Sequence, residues 1–317
     1  MKDKKIFIAG HKGMVGSAIH RRLLNSGYTK LITKTSSELD LRNQEDVVAF
    51  FADEKPEIVI DAAAKVGGIM ANNTYPYQFL MDNIQIQNNL IDGAHRFDVE
   101  KFIFLGSSCI YPKFADQPLK EESLLTGSLE PTNEWYAIAK ITGVKACQAI
   151  RNQYQKDFVS LMPTNLYGTH DNFDLTSSHV LPAMIRKFHD AKENNHAPVI
   201  LWGTGTPLRE FLFVDDMAEA VCFALNKRLP EHLYNVGVGR DLSIKDLALL
   251  IQTIIGHNGE IRWDESKPNG TPRKLMDVSK LHELGWNHKI DLEEGIKRTY
   301  EWFLANQNNY KEVKINN

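Results

Sequence analysis

Only three cysteines occur in 317 residues, Cys109, Cys147 and Cys222, and no two form a CxxC pair. So sparse and odd a set excludes a disulfide framework and points to a reducing, cytoplasmic setting. Long apolar runs are also missing: none could span a bilayer, and the short one near the start breaks at Gly10, too early for the core of a signal peptide. Neither sign of charge dominates. With 37 basic and 40 acidic side chains the net charge is -3, and no like-charged block marks a nucleic-acid or membrane surface. The expected partners are therefore small molecules. There is no HExxH, and His189 and His196 have no partners at metal-ligand spacing, so no metal site is expected.

What is present is a regular rhythm. "KKIFIAG", "KLIT", "PEIVIDAA", "KFIFLGSS" and "FVSLMP" read as short buried strands, and amphipathic helical segments separate them. Such alternation predicts an α/β, Rossmann-type doubly wound parallel sheet. The expected division is a dinucleotide-binding domain over 1–170, with the chain returning to it around 212–237, and a smaller substrate lobe over the rest of 171–317. No internal repeat or low-complexity segment interrupts the chain.

Between the first strand and first helix stands "GHKGMVG", residues Gly10, His11, Lys12, Gly13, Met14, Val15 and Gly16. In a strand-turn-helix context, Gly10 permits the turn, Gly13 lets a backbone approach a diphosphate and Gly16 lets helix pack on strand. The helix N-terminus then offers free N–H groups to the anion. The second strand ends in "LITKTSSE" with no acid to bond an adenosine ribose; Lys34 there and Lys12 in the glycine turn suit a 2′-phosphate, so NADP(H) is the expected cofactor. "YAIAK" places Tyr136 and Lys140 on one helical face, where an ammonium would favour phenolate and bring tyrosine acid-base chemistry toward neutrality. "GSSCIYP" carries Ser107 and Cys109 just beyond a strand end, the usual place for chemistry in such sheets.

Glycine turn, strand-end serine and YxxxK together resemble the extended short-chain dehydrogenase/reductase family, over essentially the whole chain. The resemblance implies that Ser107 orients a substrate hydroxyl or ketone and that Tyr136 donates and accepts the proton. It further implies that Lys140 holds the nicotinamide ribose, and that Leu105, Gly106, Ser107, Pro163, Thr164, Asn165, Leu166 and His179 lie against cofactor. "AAAKVGGI", "GSSCIYP", "EPTNEWYAIAK", "MPTNLYG", "HDNF", "SHV" and "GTPLREF" are similar to the branch that takes GDP-4-keto-6-deoxy-D-mannose through two epimerisations and a reduction. In that branch a cysteine and a histidine, here Cys109 and His179, exchange protons with the carbons flanking the ketone.

The same likeness implies substrate contacts from Lys187, Trp202, Arg209 and Asn269. The chain departs from the pattern at Lys187, where arginine is familiar, at Asn269, where aspartate is, and at Thr169, where proline is. It also implies a homodimer built on the helices through 73–97 and 131–155. Within the fold, a nucleotide-sugar 4,6-dehydratase or a 4-epimerase would share the glycines and the YxxxK. The dehydratase would carry an acidic pair where Ser108 and Cys109 stand. A non-catalytic cofactor sensor would not need Ser107, Tyr136 and Lys140 together.

Overall fold

The computed structural model describes residues 1–267 and 269–307. The first half of the chain alternates β1 (Ile6–Ala9), α1 (Met14–Asn25), β2 (Leu31–Ile32), α2 (Gln44–Glu54), β3 (Ile58–Asp61), α3 (Ile69–Thr74), α4 (Pro76–Arg96), β4 (Lys101–Leu105), α5 (Glu134–Tyr154) and β5 (Asp157–Pro163). There follow β6 (Asn165–Tyr167), α6 (Val180–Glu193), β7 (Val199–Trp202), β8 (Leu208–Arg209), β9 (Phe211–Phe213), α7 (Val214–Asn226) and β10 (Leu233–Val236). The last stretch holds β11 (Leu242–Ser243), α8 (Ile244–Ile255), β12 (Ile261–Asp264), β13 (Arg273–Lys274), α9 (Ser279–Glu283) and α10 (Leu292–Ala305).

Six strands form one sheet in the order β10-β5-β4-β3-β1-β2, every neighbouring pair parallel. The four residues of β1 and of β3 are buried without alternation, as a sheet covered on both faces demands. One face packs Ile6, Ile8, Ile58 and Ile60 with residues of α1 and α7; the other packs Phe7, Val59, Phe102 and Phe104 with residues of α2, α4 and α5. A separate core gathers Phe173, Phe188, Leu247 and Phe303 in the smaller lobe. Three features there have no sequence signal strong enough to predict: the two-stranded pairs β12–β7 and β6–β9, and the three-stranded β11-β8-β13.

Strand order reverses at β1, with β2 on one side and β3 on the other. The crevice beyond the carboxyl ends of β1 and β3 is therefore the switch point at which such sheets take ligands. Gly10 stands at that point with φ +78°, and a Cβ there would come within 2.6 Å of the Ala62 carbonyl oxygen. A Cβ on Gly16 would overlap the Gly10 carbonyl. Both glycines are thus set by close backbone approach, and the turn is closed by Gly13 N–H donating to Gly10 O at 2.8 Å.

Candidate active site

Residues 10–16 deliver the first turn of α1 to the switch point, and the N–H groups of that turn have no carbonyl one turn earlier to bond. The cradle that side chains would fill, together with these donors, fits the diphosphate of a dinucleotide. Lys34 is placed differently from the expectation. Its ammonium is ion-paired with Glu54 at 2.9 Å, which raises its pKa, so the lysine meets a carboxylate of α2 and is not presented alone to a 2′-phosphate.

At the end of β4, Gly106 N–H donates to Leu161 O at 3.0 Å, and Ser107 then caps a single tight turn over Ser108–Ile110. Its hydroxyl oxygen accepts from Cys109 N–H at 3.4 Å, which seats the thiol beside the serine. Cys109 is buried, and burial pushes its thiol up; the Lys274 ammonium and the Ser107 hydroxyl pull the other way. All three cysteines are free.

Tyr136 lies in the first turn of α5, its ring edge-on to Phe79 with centroids 6.4 Å apart. Lys140, one turn on, is buried; its ammonium donates to Leu105 O at 2.9 Å and sits 4.7 Å from the centre of the Phe104 ring. These contacts correct one expectation. The ammonium stands 5.9 Å from the middle of the Tyr136 ring, engaged elsewhere, and the phenol is raised by burial and then by Cys109 and Asp61. Burial therefore favours the neutral phenol of Tyr136. Burial in turn lowers the Lys140 pKa, against which Asp61 is the largest opposing charge.

Asp61 was not singled out by its sequence context, although an acid closing the buried run "IVID" is a signal. It is fully buried at the end of β3, and one oxygen accepts from Ala63 N–H at 3.1 Å. Burial raises its carboxyl to about 6, with Lys140 opposing. Lys274 is the second residue missed, because "TPRK" looks like a basic surface turn. The fold pairs β13 with β8 so that Lys274 faces Arg209 in the register, and Lys274 is the charge that both Cys109 and His179 feel most. His179 directly precedes α6. Desolvation lowers its pKa, and Lys274 lowers it further, which makes its imidazolium a stronger acid than an ordinary one.

Two consequences are measurable. Lys274→Met removes the cation that favours thiolate, so the Cys109 pKa rises further and less thiolate exists at a given pH. The acid limb of any Cys109-dependent step is expected to move up by about one pH unit, with about a tenfold loss near neutrality. An unmoved limb in a pH–rate profile would show that Lys274 acts on substrate alone.

Behind the site, β5 ends at Pro163 and the next residues turn toward the smaller lobe. Thr164 Oγ1 and Asn165 Nδ2 donate to Glu210 O at 3.3 and 2.8 Å. The fully buried Glu210 carboxylate accepts from Val238, Gly239 and Met276 N–H at 2.5, 2.7 and 2.9 Å. This residue thus clasps the Pro163–Leu166 segment and the turn after β10 to the paired strands β8 and β13, which bear Arg209 and Lys274. Thr169, the departure from proline, accepts from Arg21 of α1 at 3.1 Å.

The four residues expected on substrate fall into two neighbouring groups. Lys187 and Lys267 ammonium groups each lie 5.8 Å from the half-exposed Trp202 ring, and Lys187 also donates to Ile200 O at 2.9 Å. Asn269 Oδ1 accepts from Thr204 N–H at 2.8 Å and so fixes the turn that follows Trp202. Arg209 is separate from these, beside Lys274, and donates to Leu208 O at 2.8 Å. Among the described residues no group of histidine, cysteine and carboxylate side chains could hold a metal, and no helix is long and apolar enough to cross a membrane.

A glycine turn at the switch point of a parallel sheet, with serine, tyrosine and lysine at the ends of β4 and α5, defines a dinucleotide-dependent enzyme of the extended short-chain dehydrogenase/reductase kind. The chain belongs to the NAD dependent epimerase/dehydratase family, whose model matches residues 6–237. It is 59% identical over 305 residues to putative GDP-L-fucose synthase 2 of Arabidopsis thaliana, spanning 96% of this chain and 93% of that relative. With GDP-L-fucose synthase of Escherichia coli K12 it shares 51% over 321 residues, 98% of this chain and 100% of the other. Among solved structures, a GDP-mannoheptose C4 reductase of Campylobacter jejuni with NADP bound is similar at TM-score 0.89 and 40% identity, covering 96% of this chain and 99% of that one.

Proposed function

We propose that the chain converts GDP-4-keto-6-deoxy-D-mannose to GDP-L-fucose, by epimerisation at C3 and C5 and NADP(H)-dependent reduction at C4. The observation that supports this reading is the set of groups that interact with Cys109. Ser107 bonds its backbone, Tyr136 is close enough to feel its charge, and Lys274 acts on both Cys109 and His179.

C3 and C5 both flank the ketone, so a proton lost from either leaves an enolate. Cys109 in its thiolate form removes that proton, and the Tyr136 and Ser107 hydroxyls donate hydrogen bonds to the enolate oxygen. His179, in its imidazolium form, returns a proton to the opposite face of the carbon, which inverts the centre. Reset then requires a proton to pass from the Cys109 thiol back to the imidazole through solvent. NADP(H), when bound, supplies the hydride for C4; residues 10–16, Leu105, Gly106, Lys140 and Pro163–Leu166 would hold it. As C4 is reduced, Tyr136 gives its proton to the oxygen.

Arg209 and Lys274, adjacent in register, suit the diphosphate of the sugar nucleotide. Trp202 with Lys187, and Asn269 behind its turn, suit the nucleoside end. In this division residues 1–170 serve the cofactor and most of 171–317 the sugar nucleotide. A 4-epimerase would leave the nicotinamide cofactor unconsumed at the end of each cycle, and a 4,6-dehydratase would need acids at Ser108 and Cys109.

The test is incubation with GDP-4-keto-6-deoxy-D-mannose and NADPH in heavy water, followed by mass spectrometry and NADPH absorbance. A reduced product bearing deuterium at both C3 and C5, with one NADPH consumed per product, supports the reading. Reduction without carbon-bound deuterium would leave a plain ketoreductase. The reading includes a homodimer through α4 and α5, which pack side by side within the chain and expose Tyr77, Trp135 and Tyr154. Light scattering at micromolar concentration should give twice the chain mass, and a monomer would contradict it.

A further inference from the structure

His179 directly precedes α6, yet its side chain makes no capping hydrogen bond, so the helix itself does not set where the imidazole points. The loop leading to it does. Phe173 anchors that loop: it is fully buried and packs on Trp302 and Phe303 of α10, with ring centroids 6.1 and 4.9 Å away. From there to His179 the chain has little apolar support, since Leu175 and Thr176 are exposed.

The intervening residues are held by one carboxylate. Asp174 Oδ1 accepts from Thr176 N–H at 3.0 Å, Thr176 Oγ1 at 2.6 Å, Ser177 N–H at 2.9 Å and Ser177 Oγ at 2.8 Å. Its main-chain oxygen accepts from Ser178 N–H at 3.0 Å. Asp174 therefore ties down each of the three residues that precede His179. The Thr176 hydroxyl above all holds the carboxyl below the usual range, so it stays ionised throughout the neutral region.

The same knot docks the loop across the cleft. Asn172 Nδ2 donates to Ser177 Oγ at 2.9 Å, and Ser177 O accepts from Gly68 N–H at 3.0 Å. Gly68 belongs to the "AAAKVGGI" segment that leaves β3, the strand ending in Asp61. The link from His179 to the segment that leaves β3, next to the strand after which Cys109 stands, thus passes through Ser177, and Ser177 is oriented by Asp174.

We propose that Asp174 is a positioning residue for the His179 acid: it fixes the loop of 174–178 so that the imidazole stands opposite Cys109 across the sugar ring. This rests on the assignment of His179 as the proton donor to C3 and C5. Small displacements matter for such a group, because a misplacement of about 1 Å can cost on the order of a hundredfold in rate.

The test compares Asp174→Ala, Asp174→Asn and His179→Asn in heavy water, following deuterium at C3 and C5, NADPH oxidation, NADPH affinity and thermal melting. Asp174→Ala is expected to slow deuterium incorporation by about ten- to a hundredfold with NADPH affinity unchanged. Asparagine keeps an acceptor oxygen for all four donors, so Asp174→Asn should stay within about threefold of the parent. That rescue separates geometry from the charge of the carboxylate.

Normal incorporation by Asp174→Ala, with His179→Asn inactive, would overturn the inference and leave the role of His179 standing. Normal incorporation by His179→Asn would overturn both. Parallel loss of NADPH affinity, melting temperature and incorporation in Asp174→Ala would make Asp174 a general support of the lobe and also overturn the positioning role.

Discussion

Tyr136→Phe is expected to slow C4 reduction by about 10²- to 10⁴-fold, the usual contribution of a positioned general acid. The phenylalanine ring keeps the edge-on contact with Phe79 and removes only the hydroxyl. Because burial raises the phenol, Tyr136 remains protonated through neutrality and is ready to donate without a prior ionisation step. Reduction should accordingly show no basic limb from this residue below about pH 10, the ordinary phenol value. NADPH affinity should hold, since the Tyr136 hydroxyl takes no part in the backbone approaches that shape the turn at Gly10 and Gly16. Deuterium incorporation should fall less than reduction, because Ser107 still donates to the enolate oxygen. A variant that oxidises NADPH within threefold of the parent would assign the proton to another group.

Cys109→Ser carries the second large effect. A serine hydroxyl at the same place is far too weak an acid to serve as the alkoxide base, whereas the thiol begins much closer to neutrality even after burial has pushed it up. Deuterium incorporation at C3 and C5 should drop by about 10²- to 10⁴-fold. Hydride transfer, which uses Tyr136 and not the thiol, should continue on the sugar that has not been inverted. The product would then be reduced but free of carbon-bound deuterium. Loss of reduction in step with epimerisation would mean that C4 is reduced only after inversion, and full incorporation would return Cys109 to the role of a small buried hydrophobe. Lys274→Met should mimic the serine variant weakly, in the direction of slower incorporation at low pH.

The cofactor cradle was legible in the sequence because its requirements are local. Glycines at 10 and 16 are demanded by backbone approaches between a strand, its turn and the next helix, all within a few residues or one sheet neighbour. Tyr136 and Lys140 could likewise be placed on one face by helical period alone. Their protonation could not. The expected help from Lys140 presumed an ammonium beside the phenol oxygen, but desolvation and the Leu105 carbonyl decide where that charge goes. Lys34 shows the same limit, since Glu54 lies on a different element and claims its ammonium.

By itself the sequence determined the parallel α/β alternation, the dinucleotide turn and the chemistry-bearing residue types, because periodicity and spacing are properties of neighbouring residues. Only the tertiary structure decided which charges surround Cys109 and Lys140. Lys274 arrives from a strand near the end of the chain through its pairing with β8, and Asp61 arrives through the sheet register that sets it beside Phe104 and close enough to Lys140 to act on it. Burial and long-range electrostatics depend on what the fold brings near, and no local pattern encodes either.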